Sequence, residues 1–160
     1  MRFIVIVLAL AGCGDNTSPT PADERFSLSS SNAKLEGLVL LTSTILPVDR
    51  DQVGDTDVYL STTMVIQLRG SNPEGAFCAK GQGVTQIADI SADLGDCEWK
   101  FYAELGGNAP HASEFAGDAY VVRARQGAAY RLLVVDDFVD DAHVATVVFD
   151  VSPISRSVGR

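Results

Sequence analysis

The chain has 160 residues, of which 46% are apolar and 21% charged, and its net charge is −9. This length and apolar content support one domain with a sizeable core, and they exclude a multidomain enzyme and a disordered or collagen-like chain. Nucleic-acid binding is disfavoured, because neutralising phosphates requires clustered basic side chains and the chain has only three lysines.

The first twelve residues contain the three parts of a secretory signal, which are a positive charge, an apolar run and small residues. Arg2 is followed by ten uncharged and mostly apolar residues, Phe3 to Gly12. A membrane-spanning helix needs about 20 such residues, so this run is too short to span a bilayer. We therefore expect residues 1–12 to be a signal peptide that is removed on export.

The signal ends in Leu10-Ala11-Gly12-Cys13, and this string resembles the lipobox of bacterial lipoproteins. The resemblance implies that Cys13 receives a diacylglycerol thioether, that the chain is cleaved before Cys13, and that the new N-terminus is acylated. Two or more acyl chains hold a protein stably on a bilayer. Gly14, rather than Asp, follows the cysteine, which resembles the pattern exported to the outer membrane. We predict a lipid-anchored envelope protein, facing the periplasm or the cell surface; a signal without lipidation is the alternative.

Residues 13–34 have the composition of a flexible tether. Residues 16–21 are small, polar and proline-bearing, and four serines lie between Ser27 and Asn32. Such segments bury too little apolar surface to fold alone. The alternative is that the alternation from Arg25 to Leu28 adds an edge strand. We expect the folded domain to span residues 35–152 and a C-terminal tail to span residues 153–160.

From Leu35 onward, apolar and polar side chains alternate with the period of half-buried β-strands. The alternation is cleanest from residue 97 to residue 105, and it also runs from residue 58 to residue 69. Two valine-rich runs flank Gln126-Gly127-Ala128, which is a hairpin signal. Helical spacing occurs at residues 87–94, although residues 84–90 also fit a strand, and residues 108–117 fit a short helix or a structured loop. We expect at most one short helix.

The pattern predicts an all-β fold. We expect a single antiparallel β-sandwich of about 7–8 strands, immunoglobulin-like or jelly-roll-like. A partly open barrel is the alternative, because one sequence does not determine the order of strands in the sheet.

Cys78 and Cys97 are the two cysteines that remain once Cys13 is acylated. In an oxidising envelope an even pair indicates a disulfide, which stabilises by roughly 3 kcal/mol on a chain-entropy estimate. A metal or redox site requires Cys-x-x-Cys spacing or histidine partners, and the eighteen intervening residues supply neither. We therefore predict a structural bridge between Cys78 and Cys97.

Two acidic stretches are candidate cation sites. Asp136, Asp137, Asp140 and Asp141 lie within six residues between two predicted strands, and a divalent ion or solvent relieves such crowding. We expect a solvated loop that blunts a sheet edge, with a calcium site as the alternative. The stretch Asp49 to Asp57 partly matches a calcium loop. Val53 and Leu60 occupy ligand positions there, so we expect a solvated loop.

The chain has two histidines, His111 and His143, and Glu114 lies three residues after the first. A catalytic zinc ion needs three protein ligands and an activated water, which these three residues would provide if they converged. Nothing in their spacing forces convergence. The sequence also lacks a nucleophile elbow, a phosphate-binding loop and a zinc-protease motif.

The sequence therefore favours a non-catalytic, lipid-anchored envelope protein that acts as a binding or structural module. It predicts no catalytic residues, no nucleic-acid partner and no required cofactor. Its partners are the bilayer, through acylated Cys13, and an unidentified envelope protein or glycan. A calcium-binding envelope module is the first alternative, and a small metal-dependent hydrolase around His111, Glu114 and His143 is the second.

Overall fold

The computed structural model of the chain describes residues 23–31, 34–49, 53–61, 67–104 and 115–154. The regular structure in these residues is β-strand, apart from single 3-10 turns at Val53–Asp55 and Ile87–Asp89. The all-β prediction is confirmed, and the short helix expected at residues 87–94 is one 3-10 turn. In chain order the strands are β1 (Glu24–Ser30), β2 (Leu35–Val39), β3 (Thr44–Val48), β4 (Val58–Ser61), β5 (Gln67–Gly70), β6 (Phe77–Gly81), β7 (Tyr102–Glu104), β8 (Ala119–Arg123), β9 (Ala129–Val139) and β10 (Ala145–Pro153).

The strands form one antiparallel sheet that nearly closes on itself. Its order is β6-β8-β9-β10-β1-β2-β4-β5-β7, and β3 pairs with β2 outside this path. The two ends of the path meet where Phe77 forms an antiparallel bridge with Lys100, just before β7. The fold is therefore barrel-like, which corrects the predicted two-sheet sandwich and is closer to the alternative of a partly open barrel. Closure protects edge strands that alternation alone does not locate.

Residues Glu24–Ser30 form a strand inside the sheet and not part of a tether. β1 pairs with β10 along its whole length, from Glu24 opposite Val151 to Ser30 opposite Ala145. Leu28 is fully buried in the core. The alternative of a strand at Arg25 to Leu28 is therefore the one observed, inside the sheet between β10 and β2 rather than at its edge, and these residues belong to the sheet rather than to a tether. Serines fill the alternate positions of this strand, and they gave it a tether-like composition.

Several predicted segments lie outside the described residues. These are the signal peptide at residues 1–12, the lipidation site Cys13, the rest of the tether to residue 22, and residues 155–160 of the predicted tail. At the C-terminal boundary, β10 ends at Pro153, one residue beyond the predicted end of the domain.

The interior of the barrel is filled by apolar side chains from every described strand except β3. Leu60, Leu68 and Ala103 lie opposite one another on β4, β5 and β7, and all three belong to this core. Fully burying a leucine contributes about 1.5–3 kcal/mol. These strands are consequently held firmly from the inside, and this fixes the positions of the side chains on their outer face.

A second, smaller apolar cluster covers the outer face of β6, β8 and β9. Cys78, Val121 and Leu133 supply it from the strands, and Ile87 and Ile90 supply it from the connection between β6 and β7. This side of the sheet is therefore buried on both faces. The outer face of β4, β5 and β7 carries no such cluster among the described residues.

Candidate functional site

The four aspartates predicted to share a loop are divided between a strand and a turn. Asp136 and Asp137 lie inside β9, whereas Asp140 and Asp141 lie in the turn to β10. Successive strand residues point to opposite faces, so Asp136 and Asp137 do not face a common ion. In the described part of the chain no three His, Cys, Asp or Glu residues are grouped as metal ligands. The four aspartates therefore do not share one loop, which corrects the expectation from the sequence.

A β-bulge explains why Asp137 is buried. Asp136 lies opposite Val148 and Val134 lies opposite Phe149, so Val135 is an extra residue in β9. The extra residue shifts the alternation, and a bulge commonly redirects side chains in this way. Asp137 is only 3% exposed, and its Oδ1 accepts a hydrogen bond from the Phe115 backbone N–H at 3.1 Å.

Asp140 serves the turn between β9 and β10. Its Oδ1 accepts hydrogen bonds from the backbone N–H groups of Ala142 and Val144, each at 2.9 Å. His143 lies in this turn with a φ of 59° and is exposed. His111 and Glu114 lie outside the described residues, so the structure does not test the zinc site that the sequence left as the second alternative. The hydrogen bonds of Asp140 therefore stabilise the turn between β9 and β10.

Asp57 is a fully buried carboxylate that ties three parts of the chain together. Its Oδ2 accepts a hydrogen bond from the Leu40 N–H at 2.9 Å. Its Oδ1 accepts from the backbone N–H and the Nε of Arg125, at 2.9 and 3.4 Å. The Arg125 guanidinium also donates to the carbonyls of Gly54 and Asp55. The stretch predicted as a solvated acidic loop therefore ends in a buried structural ion pair.

Asp118 and Tyr120 form a second polar pair, on β8 and the residue before it. Asp118 is 6% exposed, and the Tyr120 hydroxyl donates to its Oδ2 at 3.4 Å. Burial raises the pKa of Asp118, and hydrogen bonds from Tyr120 and Gln82 partly offset this. Burial and the charge of Asp118 both raise the pKa of Tyr120. Sequence patterns gave no signal for this pair.

Cys78 and Cys97 are placed at disulfide distance, with their Sγ atoms 2.20 Å apart. This agrees with the predicted pairing. The link joins β6 to the segment that leads into β7. Trp99 follows two residues later and packs against the smaller apolar cluster. The disulfide thus holds the segment that packs over the outer face of β6, β8 and β9. The described residues contain no second pair of cysteines.

The outer face of β4, β5 and β7 presents a row of three side chains, which we call the Tyr–Arg–Tyr row. Tyr59 on β4 lies opposite Arg69 on β5, and Arg69 lies opposite Tyr102 on β7. These positions alternate with the buried Leu60, Leu68 and Ala103, so the row points away from the core. Tyr102 is 41% exposed, and the other two members are half-buried.

Arg69 differs from the other four arginines in the described residues. Arg25, Arg123, Arg125 and Arg131 each donate a side-chain hydrogen bond to an oxygen of the protein. The Arg69 guanidinium makes no hydrogen bond or ion pair with the described part of the chain. Buried side-chain polar atoms in these residues all have partners. Among the arginines of the described residues, Arg69 is thus the one whose guanidinium has no acceptor there.

The sequence placed Tyr59 and Arg69 on the polar side of an alternating strand but did not identify a site. Register between strands is what brings the row together, because β7 lies more than thirty residues after β5 in the chain. The signal available in the sequence was the presence of Tyr and Arg at outward positions of adjacent strands. That signal has meaning only once the pairing of β5 with β7 is known.

The fold and these contacts define an all-β protein built on one antiparallel sheet that nearly closes on itself. In comparisons with known proteins, no family model, no curated protein and no solved structure matches the chain. Among the described residues, no helix has the length and apolar character needed to cross a membrane. Function is therefore inferred from the chain's own residues.

Proposed function

We propose that the protein is a lipoprotein of the bacterial cell envelope, anchored on the outer membrane through acylated Cys13, whose β-domain is a non-catalytic binding module. The anchor is supported by Leu10-Ala11-Gly12-Cys13 and by the short apolar run before it. The Tyr–Arg–Tyr row is the proposed binding surface. This row is the observation that carries the binding function.

The chemistry of the row supports recognition. Tyrosine and arginine are among the residue types that dominate the energetics of binding surfaces, because they combine a large contact area with hydrogen-bonding groups. The Arg69 donors have no acceptor in the described residues, so a ligand that accepts them displaces only water. No hydrogen bond of Arg69 within the described residues has to be broken before the ligand binds.

The support beneath the row favours a preorganised surface. Each member of the row is next to a buried core residue of its own strand, which is Leu60 for Tyr59, Leu68 for Arg69 and Ala103 for Tyr102. Groups carried by packed strands are held more accurately than groups carried by loops. Little ordering is therefore required when a ligand binds, and this reduces the entropic cost of association.

The test uses the full-length protein in intact envelopes. A photoreactive phenylalanine analogue is placed at Phe101, which is 54% exposed and precedes Tyr102, or at Phe138, which is 36% exposed on β9. Irradiation is expected to join an envelope component to position 101 and not to position 138. Arg69→Gln should reduce this yield strongly. Arg25→Gln, which removes an equal charge elsewhere, should leave the yield unchanged.

The anchor is measured on the same strains by metabolic labelling with a fatty-acid analogue. The wild type should be labelled and Cys13→Ser should not. Labelling of both proteins, or of neither, contradicts the anchor. Equal crosslinking from the two positions, unaffected by Arg69→Gln, contradicts the binding surface.

A further inference from the structure

We propose that the Tyr–Arg–Tyr row binds a carboxylated saccharide, an inference that rests on the binding function proposed above. Adjacent strands lie about 4.8 Å apart, so the backbone positions of Tyr59 and Tyr102 are separated by about 10 Å, with Arg69 between them. Two linked sugar rings cover a span of this size. The row is thus an elongated platform with one positive charge at its centre.

The two tyrosines select for sugar rings. An aromatic face attracts the C–H side of a pyranose ring through dispersion and the removal of apolar surface from water. The phenolic hydroxyls provide polar contacts at the edge of the same ring. Gln67 lies two residues before Arg69 on the same face of β5 and is half-buried, so its amide is placed to exchange hydrogen bonds with sugar hydroxyls.

Arg69 selects for a carboxylate. A guanidinium presents parallel N–H donors that match a carboxylate in a two-point contact, and such charge-assisted pairs are the stronger hydrogen bonds of proteins. A neutral saccharide would leave this charge without a charged partner. A carboxylate without sugar rings would leave both tyrosines unused. A saccharide that bears a carboxylate satisfies all three members of the row.

The net charge of the chain disfavours one class of ligand, the long polyanions. The chain has a net charge of −9, so long polyanions that depend on many basic contacts are repelled. One arginine between two aromatic side chains acts only at short range, where stacking positions the carboxylate. Binding should therefore weaken with salt far less than binding of a nucleic acid does.

The experiment titrates the purified full-length lipoprotein, in detergent micelles, by calorimetry. The probes are an oligogalacturonate of two rings, a neutral galactose oligomer of matched length, and an oligoglutamate of two residues as a carboxylate without sugar rings. Oligogalacturonate should bind, and each of the other two should bind at least about tenfold more weakly. Arg69→Gln and Tyr102→Ala should each reduce oligogalacturonate binding about tenfold or more.

Two matched variants control for general damage. Arg25→Gln removes a surface arginine paired with Asp150, and Phe138→Ala removes an exposed aromatic ring from β9. Both should bind within about twofold of the wild type. Arg69→Lys retains the charge but loses the two-point contact, and it should bind with an affinity between those of the wild type and Arg69→Gln.

Three outcomes overturn the proposal: equal binding of the neutral oligomer, equal binding of oligoglutamate, or no binding of oligogalacturonate. The crosslinking experiment distinguishes this failure from failure of the binding surface. If crosslinking at Phe101 still depends on Arg69 while oligogalacturonate does not bind, the surface stands and the ligand class is wrong. If that crosslinking is also absent, the proposed function fails with it.

Discussion

Arg123 and Arg69 both lie among aromatic side chains on the outside of the sheet, and their surroundings differ. The Arg123 guanidinium lies 3.9 Å from the centre of the Trp99 ring, and its Nη1 donates to Glu74 at 3.0 Å. Arg69 has a tyrosine opposite it on each side but no acceptor in the described residues. The Arg123 guanidinium has its partners within the protein, whereas the donors of Arg69 are available to solvent or a ligand. The same residue types thus serve packing in one place and, on our proposal, recognition in the other.

The disulfide shows how the Arg123 group is completed. Cys97 is held to Cys78 on β6, and Lys100 forms its bridge with Phe77 on the same strand. Trp99 lies between these two attachments, so its ring is held over β8, where Arg123 ends the strand. The acceptor Glu74 comes from the turn between β5 and β6. The difference between the two arginines therefore arises from two segments, one that supplies the Trp99 ring and one that supplies the Glu74 carboxylate, and neither has a counterpart at Arg69 within the described residues.

The largest expected loss of stability concerns a third arginine, Arg125, whose acceptor Asp57 is fully buried. Asp57→Ala leaves the Arg125 guanidinium and the Leu40 N–H without the carboxylate that accepts them. Removing one partner of a buried ion pair typically costs 3–5 kcal/mol, and partial exposure of Arg125 places the expected loss at about 3 kcal/mol. Urea unfolding measures this change in the free energy of unfolding.

Asp55→Ala is the matched control for Asp57→Ala. Asp55 lies two residues earlier and is exposed; Arg125 contacts its backbone carbonyl rather than its side chain. This control should change the free energy of unfolding by less than about 0.5 kcal/mol. A similar small loss for Asp57→Ala would show that the buried pair does not hold the fold together.

A direct comparison of Arg123→Ala with Arg69→Ala gives a smaller expected effect. Arg123→Ala removes the contact with Trp99 and the bond to Glu74. Because Glu74 is 77% exposed, most of the expected loss, about 1 kcal/mol, comes from the aromatic contact. Arg69→Ala should change stability by less than about 0.5 kcal/mol. Equal losses in thermal or urea unfolding would contradict the distinction between a packing arginine and a free one.

The strands and the hairpin that depend on neighbouring residues could be predicted from the sequence. Alternation identified β4, and two valine-rich runs identified β8 and β9, with Gly127 as the hairpin residue between them. Its φ of 85° is readily available to glycine. These features depend on residues close together in the chain, where side-chain period and backbone preference act directly.

The parts that failed depend on long-range pairing. The sequence indicated a strand at Arg25 to Leu28 only as the alternative to a tether, because of the serines, and β1 becomes a strand because β10 supplies hydrogen bonds along its length. The extra residue Val135 reverses the alternation in β9 and turns Asp137 inward, although Phe138 is the more apolar neighbour. The Tyr–Arg–Tyr row likewise requires the register of β4, β5 and β7. Alternation indicates which residues share a face of one strand, but it does not identify the residue opposite each of them.

The smallest expected effect concerns the Tyr120 hydroxyl, which donates to Asp118, whereas the hydroxyls of the row have no partner among the described residues. Burial and the charge of Asp118 raise the pKa of Tyr120 above its ordinary value of 10.0, so ionisation is harder in the folded state than in the unfolded chain. Stability should therefore fall as the pH rises from about 9 to about 11. Tyr120→Phe cannot ionise and should lose less stability over this range, with Tyr102→Phe as the exposed control. Equal pH dependence of the wild type and Tyr120→Phe in urea unfolding would contradict a buried, charge-coupled hydroxyl at this position.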